Sequence, residues 1–565
     1  MGTKTSKLIK ETTIEEKFAV NDMEESKTGM KTKGHYQQDM ASSGQNVEMN
    51  LLENILGDAA SNEDIRNLYI FDKKKLGRGH FGSVRRAKFI CDSKINYVVK
   101  TIVLQNLKAD MYLLKRELEI LRLMDHPNIV KFFDFYHKKD SVIKFKNSGP
   151  IEDKDKTDSL HFVMEHCSGG NLFDKLMKEK FFSEDHAKMI LFQIAYAVSH
   201  LHNRGICHRD LRLENFLIVS KSRQNIVKLA DFGLAKMFSS SELKTKVGNY
   251  HYVAPEIFNG IYTPQVDAWS IGVMMYMMLT GEPPFQGSTP DSVFSSIKSG
   301  SYPMSQKVWE NVSPACKDLI KSLLESDPNK RMKVQDILSH SWFNSVVSEY
   351  RELGSHHLKK DLLERFKTFK KMSKFQKEIV KLMVMVFHDY EEIEKLRYVF
   401  FFLDVSFNGV LAVKDLKKFF NDFGEAVSEM DIEDILKDLN LKFKNSITLT
   451  EFLAVTIEPF FIRDEKNIMA IYNRVRAQVP TIAKPSDEFN GKSKMEDCGI
   501  EVNGPRPKRP PELTGKSLRN SVNKFGLKIT MEDFDVMLKD IRVGSKIDND
   551  FCYGEFEEAM KTIFN

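Results

Sequence analysis

Two short stretches carry most of the chemistry this sequence could do. His208-Arg209-Asp210-Leu211-Arg212-Leu213-Glu214-Asn215 is followed, sixteen residues after Asn215, by Asp231-Phe232-Gly233. Asp210, Asn215 and Asp231 offer oxygens that can hold a divalent cation or take a proton from a hydroxyl. Upstream, Leu76-Gly77-Arg78-Gly79-His80-Phe81-Gly82-Ser83-Val84 is a G-x-G-x-x-G-x-V stretch. Glycines there let backbone come close to phosphate oxygens that a Cβ would keep away. Together these groups suit phosphate chemistry, where the protein must position a polyanion and neutralise its charge.

The elements that would position them can be read from the pattern. The glycine stretch lies between strand-like Leu68–Lys75 and Ser83–Phe89, with Tyr97-Val98-Val99-Lys100 next. A dinucleotide fold would put a helix after such glycines, so this order argues against one. Residues 110–124 carry a helical pattern that includes Glu117, nine residues before His126-Pro127-Asn128-Ile129. A polar stretch, Lys138 to Ser159, reads as a solvated loop between two further strands.

In this order, the motifs resemble those of a protein kinase. Ala254-Pro255-Glu256, Asp267-Ala268-Trp269-Ser270-Ile271-Gly272 and Arg331 extend the resemblance from Ile70 to about Phe343. It implies a two-lobed α+β kinase fold using ATP and Mg²⁺. On the matching positions it implies that Lys100 holds the α/β-phosphates with Glu117 as its partner. Asp210 becomes the base, with Asn215 and Asp231 the magnesium ligands. Gly77, Gly79 and Gly82 form the phosphate loop. Leu76, Val84, Val98 and Leu217 sandwich the adenine, Met164 is the gatekeeper, and Glu165 and Cys167 lie at the hinge. Glu214 joins this nucleotide-side set and could attract a basic substrate. Glu256 is expected to pair with Arg331.

Some positions depart from the family pattern. Arg212-Leu213 replaces the usual Lys-Pro, keeping a cation beside the γ-phosphate in a larger, forked form. Val98 replaces an alanine and should crowd the adenine pocket. Asn249 replaces a threonine. Asn171 stands where relatives that prefer basic substrates often carry a glutamate, which weakens any expectation of a substrate arginine there.

At 565 residues the chain is too long for one core. Its 84 basic and 79 acidic residues leave a net charge of +5, which makes no case for nucleic acid. Six cysteines without C-x-x-C spacing fit a reducing cytoplasm, with neither a disulfide framework nor a zinc site. No apolar run approaches about 20 residues, so no transmembrane helix is expected. Met1-Gly2-Thr3-Lys4-Thr5-Ser6 fits an N-myristoylation signal at Gly2, and Lys4, Lys7 and Lys10 could add attraction to an anionic membrane surface.

The domain expectation is a disordered extension over 1–66, a kinase domain over 67–343, a basic amphipathic junction or autoinhibitory helix over 344–390, and a degenerate EF-hand-like domain over 391–565. A Pro-rich insertion lies near 480–512. The junction reading rests on Leu358 to His388, where lysines and arginines alternate with apolar residues. The EF-hand reading rests on Asp404 to Asp415, with Asp404, Ser406, Asn408, the Val410 carbonyl and Asp415 as ligands for weakly held Ca²⁺. Lys442 and Lys444 occupy ligand positions of a second loop, Asn440 to Glu451, and Lys546 one of a last loop, Gly544 to Glu555. Lysine has no acceptor and repels a cation, so both loops should be dead or weak.

Acyl signal, kinase, basic junction and EF-hand-like tail together resemble a calcium-dependent protein kinase of the plant and apicomplexan type. In that family calcium makes the EF-hand lobes grip the junction helix and relieve inhibition of a kinase that acts on protein substrates. Three readings follow. One is a serine/threonine kinase regulated by its tail with reduced calcium sensitivity. Another is a calcium-independent kinase whose tail binds a partner. The third is an ATP-binding pseudokinase scaffold, against which intact Lys100, Glu117, Asp210, Asn215 and Asp231 argue.

Overall fold

A computed structural model describes residues 65–79, 82–90, 92–104, 111–138, 159–223, 225–237, 250–260, 262–304, 307–357, 362–422, 432–433, 446–477, 513–514, 550–551 and 553–561. Gly2, the 480–512 insertion, Asn249, Lys442, Lys444 and Lys546 lie outside them.

The small lobe is one antiparallel sheet. Its strands are β1 (Tyr69–Gly79), β2 (Gly82–Phe89), β3 (Asp92–Val103), β4 (Phe132–Lys138) and β5 (Ser159–Glu165), in the order β1-β2-β3-β5-β4. Helix α1 (Met111–Leu123) lies between β3 and β4 in the chain. Lys138 pairs with Ser159, so the polar stretch between them leaves and re-enters at one edge of the β4–β5 ladder. Gly82 has a steric reason: a Cβ there would stand 1.7 Å from the Thr101 carbonyl oxygen.

The large lobe is helical. It contains α2 (Leu172–Glu179), α3 (Glu184–Asn203), α4 (Gln265–Thr280), α5 (Pro290–Ser299), α6 (Pro314–Leu323) and α7 (Val334–Ile337). Two-residue β6 (Ile206–Cys207) and three-residue β7 (Phe216–Ile218) and β8 (Val227–Leu229) frame the catalytic stretch, with β9 (Lys236–Met237) closing on β6. In α4, Val266 to Leu279 are all buried, as expected of a helix that is apolar on every side.

The tail begins with α8 (Asn344–His357). Residues 362–388 do not form the single basic helix that their periodicity suggests. They form α9 (Leu362–Lys371) and α10 (Lys374–Val386), broken at Ser373. The Ser373 hydroxyl accepts from the Gln376 amide while Gln376 caps back, a capping box that starts a new helix. Two of the lysines do not lie on a free face either. Lys377 donates to the Lys370 carbonyl and Lys381 pairs with Glu378 at 2.9 Å, both lysines buried.

Next come α11 (Glu391–Leu403), β10 (Leu411–Ala412), α12 (Val413–Asp422), β11 (Ser446–Ile447), α13 (Leu449–Thr456), α14 (Pro459–Arg463), α15 (Glu465–Ala477), β12 (Leu513–Thr514), β13 (Asp550–Phe551) and α16 (Tyr553–Lys561). β10 and β11 pair, setting the first loop against the second. Leu362 to Val386 share one core with these helices. These described residues of the junction stretch therefore pack with the tail. Helix α8 crosses α11 closely at Gly354, where a Cβ would meet the Phe402 Cβ at 2.3 Å. Phe401 and Phe407 of the tail bury themselves in the large-lobe core. Among the described residues no helix is long and apolar enough to cross a membrane.

Candidate active site and the tail behind it

Lys100 reaches inward from β3, and its Nζ lies 2.6 Å from Glu117 Oε1 on α1. Asp231 Oδ1 stands 3.7 Å from the same nitrogen. Burial alone would lower the ammonium's pKa, but Glu117 and Asp231 outweigh it and raise it. Burial would raise the Asp231 carboxyl, yet Lys100 and the Gly233 amide pull it below its ordinary value. Both groups are thus held charged, as a phosphate–magnesium site requires.

Asn215 Nδ2 donates to the Asp210 carbonyl at 2.8 Å and to Asp210 Oδ2 at 3.2 Å. The Arg212 guanidinium approaches the same carboxylate at 3.6 Å. The loop is fixed from beneath. Asp267 of α4 accepts from the amides of His208 (2.8 Å) and Arg209 (2.9 Å), and from His202 Nε2 (2.8 Å). Arg209 (φ 68°) and Asp231 (φ 65°) are non-glycine residues in the left-handed region. Such backbone persists only where surrounding bonds over-determine it, and it collects at functional sites. Arg331 grips Glu256 with two bonds, of 2.6 and 3.0 Å, anchoring the segment that ends at Glu256.

The residues expected to wall a nucleotide slot are placed as follows. Val98 faces Met164 across the β3–β5 ladder, so the valine and the gatekeeper stand side by side. Leu76 is 53% exposed, a large apolar side chain on the surface, and Val84 and Leu217 are half-buried. Gly77 has open space where a Cβ would point. Glu165 ends β5. Its carboxylate is buried against Lys228 Nζ at 2.7 Å, so only its main chain is left for a nucleotide. Glu214 meets the Tyr252 hydroxyl at 3.5 Å, and burial raises its pKa. The Asn171 side chain is spent on capping α2, its Oδ1 accepting from the Asp174 amide at 2.7 Å.

The tail sits on the back of both lobes, an arrangement the sequence reading missed. On the large lobe, the Tyr196 hydroxyl of α3 donates to Asp404 Oδ2 at 2.7 Å, and the Ser199 hydroxyl donates to the Phe407 carbonyl at 3.1 Å. Asp404 is fully buried, and its oxygens also accept from the amides of Asn408 (3.2 Å) and Gly409 (2.7 Å) and the Ser406 hydroxyl (3.4 Å). Asp415 Oδ2 accepts from the Ala412 amide and Asn408 Oδ1 from the Val410 amide. A Cβ at Gly409 would stand 2.1 Å from His200 Nδ1, which shows how closely the loop is seated. Beside α1, Asp125 accepts from the Thr450 amide (2.9 Å) and hydroxyl (2.8 Å). On the small lobe, Arg474 of α15 enters an aromatic box, donating to Tyr97 (2.8 Å) and Tyr69 (3.3 Å) and lying over Phe89.

The family model for the protein kinase domain matches residues 70–343. The chain is 34% identical over 403 residues to calcium-dependent protein kinase 3 of Plasmodium yoelii yoelii, covering 70% of this chain and 69% of that protein. It is 33% identical over 401 residues to calcium-dependent protein kinase 5 of Plasmodium berghei (strain Anka), covering 70% and 67%. With calcium-dependent protein kinase 34 of Arabidopsis thaliana it shares 33% identity over 402 residues, covering 70% and 72%.

Proposed function

Because the chain belongs to the calcium-dependent protein kinases, and so is an ATP-dependent serine/threonine protein kinase, we propose that its EF-hand-like tail regulates it with weak or lost calcium sensing. One observation carries this reading: the Asp404 carboxylate, first ligand of the best-formed loop, is buried and engaged by Tyr196 and by donors of its own loop. A calcium ion wants six to eight oxygens, commonly several of them carboxylate. The only carboxylates of this loop are Asp404 and Asp415, and both already accept hydrogen bonds.

For the transfer itself, Lys100, held by Glu117, meets the α/β-phosphates. Asn215 and Asp231 hold magnesium, which when bound neutralises phosphate charge. Asp210 takes the proton from the substrate serine or threonine hydroxyl, while Arg212 stays beside it to meet charge on the γ-phosphoryl group. We assign Gly2 as a myristoyl acceptor and Lys4, Lys7 and Lys10 as its electrostatic partner at an anionic membrane facing the cytoplasm. Vesicle flotation of the acylated chain, with Gly2→Ala as control, tests that assignment.

The central test is phosphate transfer from ATP/Mg²⁺ to a basic serine peptide, with calcium and with chelator, and Asp210→Asn as blank. Similar activity in both conditions is the expected result. Activity that rises about tenfold or more with calcium would overturn the proposed loss of sensing. No transfer above the blank would overturn the catalytic assignment.

A further inference from the structure

Behind the hinge, groups from three parts of the chain converge on one carboxylate. Glu165 follows the gatekeeper Met164 and ends β5 two residues before Cys167. Its carboxylate is 3% exposed and turned from the slot. Lys228 of β8 reaches it from the large lobe at 2.7 Å, and the Lys131 amide, just before β4, donates to Oε2 at 3.1 Å. The third part is the tail. His388, just past α10, sets its ring 5.4 Å from that of Phe133, tilted by 50°, with Nε2 3.9 Å from Glu165 Oε1. Among the described residues that nitrogen is buried without a hydrogen-bond partner, with Asp389 Oδ2 at 3.7 Å, while Nδ1 of the same ring lies 3.3 Å from the Val386 carbonyl. Arg397 of α11 holds the same turn by donating to the His388 carbonyl at 3.0 Å.

A buried ring nitrogen without a partner is costly, and each one in a native protein calls for an explanation. Here the carboxylate lies about 1 Å beyond hydrogen-bond reach. Lys228, foremost, outweighs burial and brings the Glu165 carboxyl down to about 2, so it stays an anion; burial lowers the His388 pKa, so the ring meets it neutral, as the Nε2–H tautomer.

We propose that His388 is a positioning residue for ATP: seated by the docked tail, it donates to Glu165 and fixes the hinge strand that borders the adenine slot. The inference rests on the tail-regulated kinase reading above and names the route by which the tail reaches the nucleotide. Lys228 ties Glu165 to the large lobe and the Lys131 amide ties it to the small lobe. His388 adds a restraint from outside the kinase domain. A turn of Glu165 is passed to Met164 and Cys167, which flank the base. His388 touches none of Lys100, Asp210, Asn215 or Asp231. Its effect therefore belongs in KM for ATP and not in kcat.

The experiment is steady-state kinetics on the full chain with ATP varied at saturating peptide. His388→Phe keeps the ring volume against Phe133 and removes the nitrogens. It should raise KM for ATP about fivefold with kcat within about twofold of the wild type. His388→Gln, whose amide can reach Glu165, should return KM to within about twofold. An unchanged KM in His388→Phe overturns the proposal, as does an equal rise in both variants or a fall in kcat that tracks loss of folded enzyme. Calorimetric ATP binding reads the same seat without transfer, so a chain inactive against the Asp210→Asn blank still gives an answer. Hydrogen exchange over residues 190–204 reports separately whether the tail is docked.

Discussion

The Tyr196 hydroxyl donates to Asp404 Oδ2 at 2.7 Å, joining the longest helix of the large lobe to the first loop of the tail. Burial pushes the Asp404 carboxyl up to about 6, against the pull of Tyr196 and the Gly409 and Asn408 amides. Near neutral pH the carboxylate depends on those donors. Tyr196→Phe should weaken tail docking by about 1.5–3 kcal/mol, the cost of removing a donor from a buried charge. Hydrogen exchange over residues 400–410, with and without calcium, reads this. Unchanged protection in the variant would mean that Asp404 is held by its own loop alone.

The 2.6 Å Lys100–Glu117 pair and the 3.7 Å approach of Asp231 rank two further variants. Lys100→Met removes the phosphate cation and should lower kcat/KM by about a hundredfold or more. Glu117→Gln leaves a side chain that can still accept from Lys100, with Asp231 nearby, so its loss should be nearer tenfold. Peptide phosphorylation at equal folded protein compares them. Equal losses would show that Glu117 holds the lysine without help from Asp231.

These two relationships differ in how far the sequence reveals them. Asp210, Asn215 and Asp231 lie on loops whose spacing is fixed by local turns, and Glu117 could be placed by its distance from His126. Tyr196, Ser199 and His200 sit in a helix buried almost throughout, where nothing local marks them as a docking face. Arg474 reads as one more surface cation until α15 is set beside β1–β3. The break in the 358–388 stretch did have a signal, Ser373-Lys374-Phe375-Gln376, the pattern of a capping box. The apolar period running through it hid the start. Likewise, Lys377 and Lys381 look like a free basic stripe because their partners, the Lys370 carbonyl and Glu378, are disclosed only by packing.

Arg212 stands 3.6 Å from Asp210 where the family pattern has lysine. Burial would lower its pKa, but Asp210 and Glu214 raise it, so it stays cationic at any working pH. Arg212→Ala should lower kcat about a hundredfold with a smaller change in KM for ATP, because its charge is aimed at the transferring group. Arg212→Lys should recover most of the loss. A lysine variant as slow as the alanine would mean that the forked guanidinium, and not its charge, is what the site uses.

Stability should depend on pH through His251. Burial pushes its imidazole down to about 4, partly offset by the Phe285 carbonyl. Between pH 6.5 and 4 the unfolded chain takes up a proton that the folded chain refuses. Stability is therefore lost as pH falls through that window, by at most about 3 kcal/mol. Urea midpoints at pH 7 and pH 4.5 should converge in His251→Phe relative to the wild type. A variant with the same pH slope as wild type would place the titration elsewhere.

Arg474 anchors the tail to the small lobe. Its guanidinium donates to Tyr97 and Tyr69 and lies 4.8 Å from the Phe89 ring centroid and 5.1 Å from that of Tyr97. Burial would lower its pKa, but the surrounding hydroxyls and Asp134 outweigh it and keep the side chain charged. Arg474→Met keeps much of the aliphatic volume while removing donors and charge. It leaves two buried phenols to find new partners, at a cost of about 2–4 kcal/mol. Because Tyr97 belongs to the strand that carries Lys100, the loss should appear as faster exchange across β1–β3 and a lower melting temperature, with and without calcium. If only the tail loosens and β1–β3 keep their protection, the box is a tether and not a support for the small lobe.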